Sequence, residues 1–159
     1  MATLTHFDKQ GRAKMVDVSR KAETLRKAVV RGSIFMQPAT FKKIMSGKIS
    51  KGDVLAVAKV AGVMAAKKTS DIVPMCHPLN LTHVEINFYP VEKTSRIDIE
   101  ACVRIKAQTG VEMEGLVAVA AAGLTIYDMC KAIDRGMVLS DIRLVRKTGG
   151  KSGTYIAKR

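Results

Sequence analysis

No tryptophan occurs among the 159 residues, and four Phe and three Tyr make up the whole aromatic complement. Aromatic stacking therefore contributes little, and the core has to be assembled from Val, Ile, Leu, Ala and the nine Met. Cysteine is scarce as well: Cys76, Cys102 and Cys130 are an odd set without a CxxC pair or zinc-ribbon spacing. Neither a disulfide framework nor a catalytic zinc is expected from them. The opening segment, MATLTHFDKQGRAKM, lacks an apolar core of signal-peptide length. The longest apolar run, residues 115–127, is closed by Glu114 and Asp128 and falls short of the ~20 residues that cross a bilayer. These absences predict a soluble, cytoplasmic protein of a reducing compartment, with no membrane partner. Acidic residues are few, 14 against 27 Lys and Arg, which leaves a net charge of +13. A balance of that sign points to an anionic ligand or partner without saying which anion.

What is present suffices for folding. With 47% hydrophobic and 26% charged residues, the composition is that of a globular chain, and the length fits one domain over residues 1–159. No repeat or low-complexity linker divides it. The polar stretch to about Ser19 carries the alternation Met15-Val16-Asp17-Val18, which reads as an N-terminal arm with a small strand. Residues 24–36 mix helical spacing at Ala22, Leu25 and Ala28 with the strand formers Val29, Val30, Ile34 and Phe35, and are read as a strand. Pro38 suits the first turn of a helix and Gly47 its end.

Ser50-Lys51-Gly52-Asp53 has the form of a helix start with Ser50 as the cap. From there Val54, Val57, Ala58, Ala61, Met64 and Ala65 follow the 3.6-residue period to about Lys68. Residues 83–89 and 96–106 alternate apolar and polar and are joined by a short turn, as in an antiparallel pair. Thr109-Gly110-Val111-Glu112 resembles a capping box opening a helix that runs to about Arg135, with Gly136 as its stop. Its small residues Gly115, Ala118, Ala120, Ala121, Ala122 and Gly123 allow close approach by a sheet or a second helix. Residues 137–145 read as a last strand. The order strand, helix, strand, strand, helix, strand predicts an α+β, ferredoxin-like βαββαβ sandwich with an N-terminal arm or short strand.

Several segments could carry chemistry. Asp128 and Lys131 stand three apart on a predicted helix and share one face; they are either an acid and a base of one site or an ordinary surface ion pair. Glu112 and Glu114 straddle the start of the same helix, placed to accept from the donor edge of a guanine or pterin ring, to carry protons, or to cap and complement the helix dipole. The loop DIVPMCHPLNL holds Cys76 and His77 between Pro74 and Pro78, so its backbone is restricted as in a binding loop. A buried, hydrogen-bonded structural His77 is the plainer alternative. Gly149-Gly-Lys-Ser-Gly153 is not a P-loop, because Val145 stands where the first Gly is required and too few residues follow for a helix. Lys147 and Lys151 can still hold phosphate there, or belong to a solvated end. Further cations spread over residues 9–31 and 42–51. A folded anion pocket would use them, and so would a nucleic-acid binder, but no aromatic RNP pattern, zinc finger or basic recognition helix occurs, so no nucleic-acid partner is expected.

Taken in order, MVDVS at 15–19, KGDVLAVAKVAG at 51–62, PMCHPL at 74–79, GVEMEGL at 110–116, TIYDMCKA at 125–132 and GGKSG at 149–153 resemble the cyclic pyranopterin monophosphate synthase family, molybdenum cofactor biosynthesis protein C. The resemblance spans nearly the whole chain. It departs only at neighbours of the site, with Met75 in place of an aliphatic residue and Gly115 in place of Ala. It implies a cytoplasmic lyase of molybdenum cofactor biosynthesis. The substrate would be (8S)-3',8-cyclo-7,8-dihydroguanosine 5'-triphosphate, made from GTP by an upstream radical SAM cyclase; the products would be cyclic pyranopterin monophosphate and pyrophosphate. By resemblance Lys51 and Lys131 are the acid/base pair and Asp128 orients or activates a lysine. Met75, Cys76 and His77 with Glu112, Met113 and Glu114 contact the substrate, and Arg26, His77, Lys147 and Lys151 receive its phosphates. It further implies no metal and no cofactor, and a homohexamer built as a trimer of dimers with sites between subunits.

Overall fold

In the computed structural model, residues 6–50, 52–151 and 153–158 are described. The chain forms β1 (Thr24–Phe35), α1 (Pro38–Met45), α2 (Val54–Lys67), α3 (Thr69–Ile72), β2 (His83–Val91), a 3-10 turn (Glu92–Thr94), β3 (Arg96–Ala107), α4 (Glu112–Cys130), β4 (Val138–Thr148) and β5 (Tyr155–Ile156). The five strands make one sheet in the order β2-β3-β1-β4-β5, every pair antiparallel. Without the short β5 this is the expected ferredoxin-like α+β arrangement.

Alternation along the strands separates two faces of the sheet. Ala28, Val30 and Ile34 of β1 and Ile97, Ile99, Ala101 and Val103 of β3 turn to one side and are wholly buried or nearly so. Val30, Ile34, Ile97, Ile99 and Ala101 pack with Ala118, Val119, Ala122 and Ile126 of α4, beside which α2 lies, and Ala28 and Val103 join Ile105 and Val111 in a second cluster. The opposite face is polar: Arg31 meets Glu100 at 2.6 Å, and Ser33 donates to Asp98 at 2.6 Å. Glycine sets the closeness of the layers. A Cβ at Gly115 would lie 2.7 Å from Val30 Cγ2, and one at Gly123 2.8 Å from Leu139 Cδ2, so α4 settles directly onto β1 and β4. Gly62 lets α2 cross α4 equally closely, at the carbonyl of Ala118. By length and composition alone α4 could cross a membrane, but its buried side faces the sheet, and its apolarity serves that packing.

Local chemistry moved several expected boundaries. Met15–Val18 forms no strand, because the Asp17 carboxylate accepts from both the N–H and the hydroxyl of Ser19 and bends the chain locally. A single bridge between Phe7 and Ala13 closes the arm instead. Asp53, not Ser50, caps α2, its carboxylate accepting from Leu55 and Ala56 N–H at 3.0 Å. Thr109 does not cap α4, whose N-cap is Val111; Glu112 and Glu114 in the first turn complement the dipole there. The helix also stops at Cys130, well before Arg135. Asp134 is buried and accepts from the N–H of Gln37 at 2.8 Å and of Gly136 at 3.0 Å, which turns the chain toward β4. On α2 the buried residues are Val54, Ala58, Gly62 and Ala66, while Val57, Val60 and Met64 are exposed. The two-helix layer therefore presents an apolar outer strip, to which α4 adds Met113 and Leu124.

Candidate active site

Three segments meet at one end of the sheet. The approach to β1 brings Arg20, Lys21, Arg26 and Lys27; the β3–α4 turn brings Gln108 to Glu112; the end of β4 brings Lys147 to Lys151. Between them lies a cavity of about 650 Å³. Six cationic side chains line it, and among the described residues Glu112 is its one carboxylate. Such a concentration of positive charge in a concave space is suited to a polyanion. The sheet register explains the convergence: β1 pairs Arg26 with Ile105 near the end of β3 and Ala28 with Lys147 of β4, so residues more than a hundred positions apart become neighbours.

Arg26 is fixed by the backbone around it. Its Nε donates to the carbonyl of Ala107 at 3.4 Å and one Nη to that of Gln108 at 3.2 Å. The glycine loop lies directly over it: Gly149 and Gly150 both have positive φ, 97° and 76°. A Cβ on Gly150 would run into the Arg26 guanidinium, and one on Gly149 into the Leu25 carbonyl. Gly149 is needed on both counts, conformation and space, and Gly150 for its conformation. Lys147 Nζ donates to Glu112 Oε1 at 2.8 Å, a pair only partly open to solvent.

Glu114 follows one helical step deeper and is 4% exposed. Burial pushes its carboxyl above the usual range, and the nearby charge of Glu112 adds to the rise. Cys76 faces the same region; burial raises its thiol and the charge of Glu114 adds to that. His77, the next residue, is felt by Asp17 of the arm. The hydroxyl and N–H of Ser19, and then the His77 charge, hold the Asp17 carboxyl below its usual value. Of the expected residues, Arg26, Glu112, Lys147 and Lys151 line the cavity; Glu114 and Cys76 influence each other outside its lining, and His77 is linked to Asp17 of the arm. Met75 sits in the same loop as Cys76, and Met113 lies on the outer side of the helix, 37% exposed.

Asp128 and Lys131 stand elsewhere. Lys131 Nζ donates to Asp128 Oδ1 at 2.6 Å, both side chains more than half exposed. Sixteen residues of helix separate Asp128 from Glu112, or ~24 Å at 1.5 Å per residue. The hydrogen bond to Asp128, then its charge, raise the Lys131 ammonium above its ordinary value, opposite to a lysine lowered by neighbouring cations. Lys51 lies outside the described residues. Sequence reasoning passed over Arg20, Lys21 and Lys27 individually, although the basic run from residue 9 to 31 contained them; it also passed over Asp134, a lone acid with no spacing signal.

The same chain has clear relatives. A family model described as the MoaC family matches residues 15–150. The cyclic pyranopterin monophosphate synthase of Heliobacterium modesticaldum is 60% identical over 156 residues, covering 98% of each chain. That of Desulfitobacterium hafniense is 61% identical over 153 residues, covering 96% of this chain and 93% of its own length. A third, from Desulforapulum autotrophicum, is 55% identical over 159 residues, covering 100% of this chain and 98% of its own. With a cationic cavity built almost entirely from the matched region and relatives aligned nearly end to end, the chain belongs to the MoaC family, a family of enzymes.

Proposed function

We propose that this chain, as one domain, is a cytoplasmic cyclic pyranopterin monophosphate synthase of molybdenum cofactor biosynthesis. It takes the cyclic dihydroguanosine triphosphate supplied by a radical SAM GTP cyclase and releases pyrophosphate. The observation that carries this reading is the cavity itself: six cations around one carboxylate, Glu112, with the buried acid Glu114 two residues along the same helix. A triphosphate meets the cations; a purine-derived ring presents N–H donors that Glu112 and Glu114 accept, with Met75, Cys76, His77 and Met113 shaping the space. Arg26 presents its remaining guanidinium face from a fixed position, and Lys147 and Lys151 bring point charges.

Ring opening, ring closure and formation of a cyclic phosphate all need protons moved, which is the work of Lys51, Lys131 and Asp128. Lys51 and Lys131 form the acid/base pair, and Asp128, hydrogen-bonded to Lys131 Nζ, orients that lysine. Asp128 and Lys131 lie ~24 Å along α4 from Glu112, which supports a site completed by a second subunit that supplies them. The exposed strip of α4 supports this. Two such helices meeting antiparallel about Ala120 and Ala121, where small side chains permit contact, set Asp128 of one opposite Met113 of the other. Repetition of such dimers gives the trimer of dimers. The test is a single-turnover assay with enzymatically made substrate, following pyrophosphate and the pterin. Product from the wild type and none from Lys131→Met supports the reading; no product from folded, assembled wild-type protein overturns it.

A further inference from the structure

The cavity's one described carboxylate sits where an anionic ligand would be expected to sit. Glu112 Oε1 holds Lys147 Nζ at 2.8 Å across the mouth of a space otherwise lined by cations. The residue two positions earlier borders the seat of this carboxylate: a Cβ at Gly110 would meet Glu112 Oε2, so a larger residue there would push the carboxylate end of the side chain out of this position. An acid drawn into a polyanion site costs binding energy to every incoming phosphate, and its presence needs a purpose.

We infer that Glu112 is an internal counter-ion, occupying the place of one phosphate on Lys147 until a polyphosphate displaces it, and that it thereby makes the cavity selective for polyphosphates over single phosphate groups. The inference rests on the proposed reading of the cavity as the triphosphate site. Its physics is an exchange. A lone phosphate that replaces Glu112 on Lys147 trades one ion pair for another and gains little. A di- or triphosphate makes the same trade while engaging Arg26, Lys27 or Lys151 with its other groups, and those contacts are a net gain. The displaced carboxylate, no longer neutralised, is then free to accept from the ring of the same ligand. Phosphate arrival and ring recognition become one event.

The experiment is calorimetric titration of inorganic phosphate, pyrophosphate and tripolyphosphate into the assembled full-length protein. The variants are Glu112→Gln, Gly110→Ala, Lys147→Met and the double variant Glu112→Gln with Lys147→Met. Glu112→Gln should tighten pyrophosphate about fivefold, the scale of a partly exposed ion pair, and tighten single phosphate at least as much, narrowing the preference for tripolyphosphate. Gly110→Ala keeps the charge but denies it its seat, and should shift affinities in the same direction. In the Lys147→Met background the Glu112→Gln gain should vanish, whereas simple repulsion of anions by Glu112 would persist there. The inference is overturned if Glu112→Gln leaves pyrophosphate affinity unchanged or weaker, or if its gain survives without Lys147. Failure of the wild type and every variant to bind tripolyphosphate would instead remove the phosphate reading of the cavity, and this inference with it.

Discussion

Replacing Asp134 by Ala should cost this protein more stability than any change at the site. Asp134 is 6% exposed and ties two ends of the fold together, taking the N–H of Gln37 on one oxygen and that of Gly136 on the other. Gln37 is the N-cap of α1 and makes no side-chain cap bond, so the carboxylate from the α4–β4 turn caps that helix from a distance. Truncation leaves two backbone donors in a largely buried place without their acceptor. At ~1–2 kcal/mol for each charge-assisted bond lost, with water refilling part of the space, the loss comes to ~2–4 kcal/mol. For a domain of this size ~1 kcal/mol moves Tm by about 2–4 °C, so a fall of roughly 5–15 °C is expected by calorimetry or circular dichroism at a fixed protomer concentration. Asp134→Asn, which keeps one acceptor oxygen, should lose about half as much. Pyrophosphate binding at the cavity, at the other end of α4, should be unchanged in folded Asp134→Asn. A loss below ~1 kcal/mol in Asp134→Ala would refute the claim that this carboxylate is a structural joint.

Glu114→Gln should raise stability at neutral pH while lowering turnover. The burial-raised carboxyl means that the folded protein holds more protons than the unfolded chain between the usual glutamate value and the raised one. Wild-type stability therefore falls as pH climbs through that window, and the variant lacks this fall, so the Tm difference between them should grow from acid to neutral pH. An unchanged difference across pH would show that Glu114 is not the buried acid responsible. Gly150→Ala places a Cβ against the Arg26 guanidinium at a positive φ; it should cost ~1–2 kcal/mol from the left-handed backbone alone and weaken tripolyphosphate binding, both measurable on one purified variant. Lys131→Met and Lys51→Ala should each reduce single-turnover rate by at least ~10²-fold with the far-UV spectrum unaltered; near-normal rates would remove their acid/base roles.

The β2–β3 hairpin was legible because half-buried strands alternate, although β2 runs on through Pro90 to Val91 and the turn lies at Glu92–Ser95, two residues later than Pro90 suggested. The α4 helix was legible from its length and small residues, yet its ends were not, since a Thr-Gly-Val-Glu string fits a capping box on paper and Asp134 ends the helix through a contact with Gln37, 97 positions away. The same distinction governs Ser50 and Asp53: either could cap α2, and the folded backbone chose the carboxylate that reaches two N–H groups. For the site, Glu112, Glu114, Cys76 and His77 could be nominated from residue type and neighbours, whereas Arg20, Lys21 and Lys27 gain significance only from the cavity they border.

By itself, then, the sequence determined what is carried locally: the alternation that makes strands, the periodicity and small residues that make α4, the excess of positive charge, and the ordered motifs that match one family. Only the tertiary structure decided which charges meet. Antiparallel pairing of β1 with both β3 and β4 brings Arg26, the β3–α4 turn and the Gly149–Gly150 loop around one cavity, and the rise of α4 sends Asp128 and Lys131 to its far end. Residues adjacent in a motif are set apart or together by strand register and helix length, and those are fixed by the burial of the whole apolar face at once, not by any one segment.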